Sequence, residues 1–163
     1  MSLATDSIFI TALQSNTDLL EALGYVEATE TSEGAPARLY CTAIPLPDED
    51  ADNVPVPYVI VTFDGLTNDQ GTKDDRYESN YDTVNIGVEV TAKTLDDLHT
   101  LTQMVRDTIL SYLRANDTAI MDYHFAAQQI QYDSLKPCYW QVLTYQCDVI
   151  NTNDDEQESN SDI

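Results

Sequence analysis

Positive charge is scarce in this chain. Only 7 Lys and Arg stand against 29 Asp and Glu in 163 residues, a formal net charge of −22 at pH 7. Such a surface repels nucleic acid and anionic membrane and keeps a monomer soluble, which argues against any protein that grips phosphates with a basic face. Three physical origins of the charge compete. One is adaptation to high salt, suggested by the excess of Asp over Glu and by lysines at only Lys73, Lys93 and Lys136. A second is a surface that DNA must slide past, and a third is an acidic face that mimics DNA.

Glycine is scarce too, with 5 in the chain, and none sits where a strand runs into a helix. There is no G-x-G-x-x-G, no G-x-x-x-x-G-K-[ST], no G-x-S-x-G and no H-E-x-x-H, so the common nucleotide, serine-hydrolase and zinc-protease sites lack their backbone or ligands. The three cysteines, Cys41, Cys138 and Cys147, are odd in number and show no C-x-x-C spacing. They read as reduced, mostly buried thiols of a protein made in a cytoplasm.

Long apolar runs are absent. The nearest, VPVPYVIVTF at 54–63, falls far short of the roughly 20 residues of a spanning helix and contains Pro55 and Pro57. The opening MSLATDSIFI lacks the basic start and apolar core of a signal peptide. No membrane insertion is expected.

What is present reads as one α+β domain over 1–150 with an acidic, disordered tail at 151–163. Ile8, Leu13, Leu19, Leu20 and Leu23 spell a helix that falters near Ser15 and Asn16 and stops at Gly24. RLYCTAI at 38–44 reads as a strand, followed by an acidic, proline-punctuated loop. Tyr58 to Phe63 is apolar on both parities, the pattern of a central strand covered on both faces. Val84, Ile86, Val88 and Val90 alternate with Thr83, Asn85, Gly87 and Glu89, the pattern of a strand with one buried face. Thr94 caps a helix whose Leu98, Leu101, Val105, Ile109 and Tyr112 or Leu113 form one stripe. From Phe125 to Ile150 two more strands are expected, turning at Lys136 and Pro137. The expected fold is a largely antiparallel sheet of four to five strands with two main helices on one face.

Chemistry is thin. DEDADN at 48–53 spaces Asp48, Asp50 and Asp52 like a calcium loop, yet Asn53 replaces the turn glycine and Val59 the bidentate acid. His99 or His124 could in principle serve Cys138 as a base, but no spacing favours it. No metal, cofactor or catalytic residue is assigned. The polar stretch TNDQGTKDDRYESNY at 67–81 is longer than ordinary connections in compact domains and holds Lys73 and Arg76, two of the 7 cations. It reads either as an ordinary hairpin tip or as a contact arm, in which case Lys73, Asp74, Asp75, Arg76, Tyr77 and Tyr81 are interface candidates. Arg38, the sole cation of the first 72 residues, pairs either within the fold or with an adjacent subunit. Tyr77, Tyr81, Tyr139 and Tyr145 are amphipathic aromatics of the kind found at interfaces and sheet edges.

The opening helix around SIFITALQ, the RLYCTAIP and PYVIVTF strands, VNIGVEVTAKTLDDLHTLTQMVRDTI and the terminal YWQVLTYQCDVI together resemble the tail terminator, or tail completion, proteins of long-tailed bacterial and archaeal viruses. The resemblance covers roughly residues 5–150 and rests on the order of elements, with no catalytic signature. It implies a non-enzymatic virion protein whose six-fold ring caps the tail tube, stops its polymerisation and joins it to the head completion or connector proteins. Implied partners are further copies of the chain, the tube protein and the connector, with DNA passing through the channel unbound. Residues 65–82 would be the arm that reaches a neighbouring subunit or the tube. A neighbouring connector or stopper role, a DNA-mimic inhibitor, and a hydrolase with an unrecognised site are the alternatives.

Overall fold

The structure, a computed structural model, describes residues 2–46, 54–68 and 81–150. The acidic stretch at 48–53, the loop residues 69–80 and the tail 151–163 lie outside the described residues, and with them the readings made of those segments. After a short 3-10 turn the elements run α1 (Thr5–Gln14), α2 (Thr17–Ala22), β1 (Leu39–Cys41), β2 (Tyr58–Thr67), β3 (Tyr81–Ala92), α3 (Leu95–Ala115), β4 (Ile120–Ala127), β5 (Gln131–Asp133) and β6 (Cys138–Ile150).

The faltering periodicity near Ser15 marks a real break. Asn16 leaves helical geometry and its Oδ1 accepts the amides of Asp18 and Leu19, which would otherwise be unpaired at the start of α2. Its Nδ2 donates to Thr108 Oγ1 at 2.8 Å, tying the break to α3. Gly24 ends α2 with φ +92°, and a Cβ there would run into the Arg38 guanidinium. The α3 start is also as expected: Thr94 Oγ1 accepts the Asp97 amide at 3.1 Å, with Asp96 and Asp97 in the first turn and Arg114 in the last, each charge matching its end of the helix dipole.

The fold is α+β. Six strands form one mixed sheet in the order β1-β2-β3-β6-β4, with β5 pairing β6 beside the end of β4. β1 is parallel to β2 and every other pairing is antiparallel. One face takes the helices. Val59 and Val61 of β2, Val84, Ile86, Val88 and Val90 of β3, and Leu143, Tyr145, Cys147 and Val149 of β6 meet Phe9 and Leu13 of α1, Leu19 and Leu23, and Leu98, Val105 and Ile109 of α3 in one core. Fully burying each aliphatic of this kind contributes roughly 1.5–3 kcal/mol, enough to hold both helices on the sheet.

Three expectations need correction, two of them for the same reason. β2 continues past Phe63 to Thr67, and the last third holds three strands rather than two, the first starting at Ile120. Each unseen segment contains a register shift, between Phe63 and Gly65 in β2 and between Ile120 and Asp122 in β4. A bulge inserts one residue, so the period-two pattern breaks while the strand goes on. The extra residue Asp64 keeps both Phe63 and Leu66 on the core face. The third correction concerns cover. Among the described residues no element lies over the second face of β2, so the strand is covered on one side only.

Candidate assembly surface

The uncovered face can be read across the sheet from its register. One row runs Tyr40, Ile60, Glu89 and Val142, and the next runs Tyr58, Thr91, Trp140 and Gln131. Tyr40, Tyr58, Ile60, Glu89, Trp140 and Val142 are half-buried with no described helix or strand layered on them, while Thr91 between Tyr58 and Trp140 is only 1% exposed. Tyr40 and Tyr58 sit with ring centroids 6.5 Å apart. At the border Lys136 Nζ lies 5.3 Å from the Tyr58 ring centroid and donates to the Val54 carbonyl at 2.7 Å. This half of the face is therefore aromatic and aliphatic around Glu89, with a second carboxylate, Asp133, at its border beside Cys138.

The Glu89 carboxylate is unbalanced. Glu89 accepts no hydrogen bond and makes no ion pair among the described residues, and burial alone pushes its pKa above the usual glutamate range. Burial likewise raises the Tyr58 phenol and, with Asp133 nearby, the Cys138 thiol. The local environment disfavours negative charge, yet Glu89 brings one.

The other half of the face is polar. Thr62, Gly87, Thr144 and Ala126 form one row; Asn85, Gln146 and His124 the next; and Thr67, Thr83, Asp148 and Asp122 the one after. Gly87 leaves room for the bulge: a Cβ there would come within 2.5 Å of Asp64 Oδ2 and 2.8 Å of Thr62 Oγ1, while Thr62 Oγ1 donates to Asp64 Oδ1 at 2.9 Å. Asp122 and Asp148 are exposed and directly opposed across β4 and β6, a like-charge pairing that costs stability.

The sequence-derived candidates fall as follows. Lys73, Asp74, Asp75, Arg76 and Tyr77 lie outside the described residues. Tyr81 opens β3, is 52% exposed, and its carbonyl accepts from Asn68 Nδ2 at 3.1 Å; the same amide donates to the buried Asp82 at 2.7 Å. Asn68 and Asp82 thus hold the two strand ends together where the polar loop departs. Arg38 is half-buried, its Nε donating to the Pro57 carbonyl at 2.9 Å and its guanidinium lying over Gly24. Within the subunit it joins α2 to β2. Tyr139 packs at the core margin and meets Tyr132 at 5.0 Å. Tyr145 is a core residue, 1% exposed, with Phe9, Tyr123 and Phe125 around it at 5.1, 5.4 and 5.2 Å.

His99 and His124 are exposed, whereas Cys138 is buried. No group of three or more His, Cys, Asp or Glu that could hold a metal occurs among the described residues, and no described helix is long and apolar enough to cross a membrane. The aromatic half of the open face escaped sequence reasoning except for one signal. Apolarity on both parities of Tyr58–Phe63 demanded cover, and Trp140 and Val142 stand on the parity of β6 opposite to its core residues.

No protein-family profile matches the chain. No curated protein matches it either. Among solved structures, a chain of the virion of a native gene transfer agent particle superposes with a TM-score of 0.54 at 10% identity, over 90% of this chain and 94% of that one. The bacteriophage SPP1 gp17 protein gives a TM-score of 0.44 at 17% identity, over 93% and 92% of the two chains. This α+β architecture, nearly end to end, is thus the fold of a component of a virion particle.

Proposed function

We propose that the protein is a structural virion component, a tail terminator, whose subunits close into a ring of six that caps the tail tube, ends its polymerisation and offers a docking face to the head completion or connector proteins. Its work is geometric and non-catalytic. The observation that carries the proposal is the open sheet face: an aromatic and aliphatic surface that the strand pattern requires to be covered and that no described helix or strand of the subunit covers. The fold shared with a virion chain and the order of elements support the same reading.

A ring of such subunits must overcome its own charge. At −22 per copy the net repulsion opposes association, so desolvated apolar contact and a few cation–carboxylate pairs must hold it. The polar half of the face, with Asp64, Asp122 and Asp148, is suited to a channel because its carboxylates give DNA nothing to adhere to.

Light scattering of the purified protein over a range of concentrations, at low and at molar salt, tests the ring. Salt shortens the screening length from about 10 Å at 0.1 M to about 3 Å at 1 M, so assembly should be promoted by salt. A six-subunit mass is expected. A strict monomer or dimer under every condition refutes a ring that stands in solution.

A further inference from the structure

We propose that the aromatic half of the open sheet face, centred on Glu89, is the seat for the Lys73–Arg76 segment of a neighbouring copy of this chain. The inference rests on the ring reading above and names the receiving surface for its arm.

Charge selects the occupant. Tyr40, Tyr58, Ile60, Trp140 and Val142 surround a half-buried carboxylate with no cation on it among the described residues. Covering that face with apolar surface alone would bury Glu89 unpaired, which is costly. Pairing the face with itself about a two-fold axis would bring two Glu89 carboxylates together. The occupant must therefore be a different surface and must bring a cation, which is the head-to-tail kind of contact that closes rings.

The chain has 7 cations to offer. Arg38 and Lys136 are engaged with the carbonyls of Pro57 and Val54, and Arg106 lies over the Phe125 ring at 4.0 Å. Lys93 follows Ala92 at the same end of the sheet as the seat itself, and Arg114 is a single cation in the last turn of α3. Lys73 and Arg76 remain, three residues apart and followed by Tyr77. The same stretch holds Asp69, Asp74, Asp75 and Glu78, so the seat must be selective, accepting the two cations and leaving the acids in solvent.

Reach bears on whether the contact lies within one subunit or between two. At about 3.3 Å per residue, Glu89 lies roughly 20 Å along the sheet from the row of Thr67 and Thr83, and about 26 Å from Tyr81. A fully extended chain covers at most about 21 Å from Thr67 to Lys73 and about 28 Å from Lys73 back to Tyr81. The lysine and glutamate side chains shorten the span the backbone must cover, so chain length permits the contact within one subunit or between two, and the cross-link below decides between them. A neighbouring copy whose strand ends approach the seat makes the contact with no extended leg.

Three variants and a cross-linker test this. Glu89→Gln, nearly isosteric, should weaken self-association at least about tenfold, as loss of one partner of a desolvated charge pair does, while leaving the far-UV spectrum unchanged. Glu89→Arg should abolish association, and combining it with Arg76→Glu should restore it. Benzoylphenylalanine placed at position 77 should cross-link to peptides of another copy containing Tyr58–Ile60 or Trp140–Val142. A six-subunit ring that is indifferent to Glu89, or cross-links that map elsewhere or within one chain, would overturn this contact and leave the ring standing. A monomer under every condition would overturn both.

Discussion

Replacing Tyr145 with Phe should stabilise the subunit. The ring is 1% exposed, in edge or tilted contact with Phe9, Tyr123 and Phe125, and its hydroxyl is buried with no hydrogen-bond partner among the described residues. Burial pushes the phenol pKa well above its ordinary value, with Tyr123 adding to the effect, so the group stays protonated throughout the working range. A buried donor without an acceptor costs about 1–3 kcal/mol, and Phe removes it while keeping every ring contact. A gain of about 1 kcal/mol is expected, raising the melting temperature by roughly 2–4 °C for a chain of this size. Tyr145→Leu, which also discards three aromatic pairs and leaves unfilled volume, should instead lose about 2–4 kcal/mol. Urea unfolding monitored by near-ultraviolet circular dichroism measures both. A loss of 1 kcal/mol or more in the Phe variant would mean that the hydroxyl is satisfied, by a bound water or a shifted partner, and would refute the reasoning. Assembly should be untouched by the Phe change, since Tyr145 faces the helices.

Other expectations follow from particular contacts. Asn16→Ala deletes the cap of α2 and the bond to Thr108, and should cost about 1–2 kcal/mol in thermal or urea unfolding; an unchanged midpoint would show that the break holds without its cap. Glu89→Gln should raise the melting temperature of the isolated subunit at pH 7. The folded-state pKa is raised, so the folded subunit holds its proton to higher pH than the unfolded chain, and Glu89 takes away stability as pH rises through the ordinary glutamate range to that raised value. Below that range both states are protonated and the variant should match the parent, so a benefit that persisted at low pH would contradict this origin. The same substitution strengthens the subunit and weakens the assembly, a divergence that a purely structural role would not produce. Native protein should show one accessible thiol, Cys41, whose reaction is slowed because burial and the adjacent Asp6 raise its pKa. Cys138 and Cys147 are buried, the latter pushed up to about 12 by burial, and should react with a thiol reagent only on unfolding. More than one fast thiol at pH 8 would refute that burial.

The sequence by itself determined the features whose cause is local. The α3 stripe, the Thr94 cap, the break at Asn16 and the alternation of β3 are set by side chains a few residues apart, and all four are present. A bulge defeats such reading because one inserted residue reverses the parity of everything beyond it, which hid the end of β2 and the start of β4. Only the tertiary structure decided what contacts between distant residues decide. Tyr145 belongs to the core because α1 and β4 converge on β6, and Arg38 is held by Pro57 and Gly24. Composition marks tyrosine and arginine as suited to interfaces, but it does not say which side of a sheet they occupy. The strand pattern of Tyr58–Phe63 required cover on two faces, and the described residues supply it on one. What the second face awaits is written in the rows that β1, β2, β3 and β6 assemble, where Glu89 comes to lie among Tyr40, Ile60, Trp140 and Val142, residues that only strand pairing brings together.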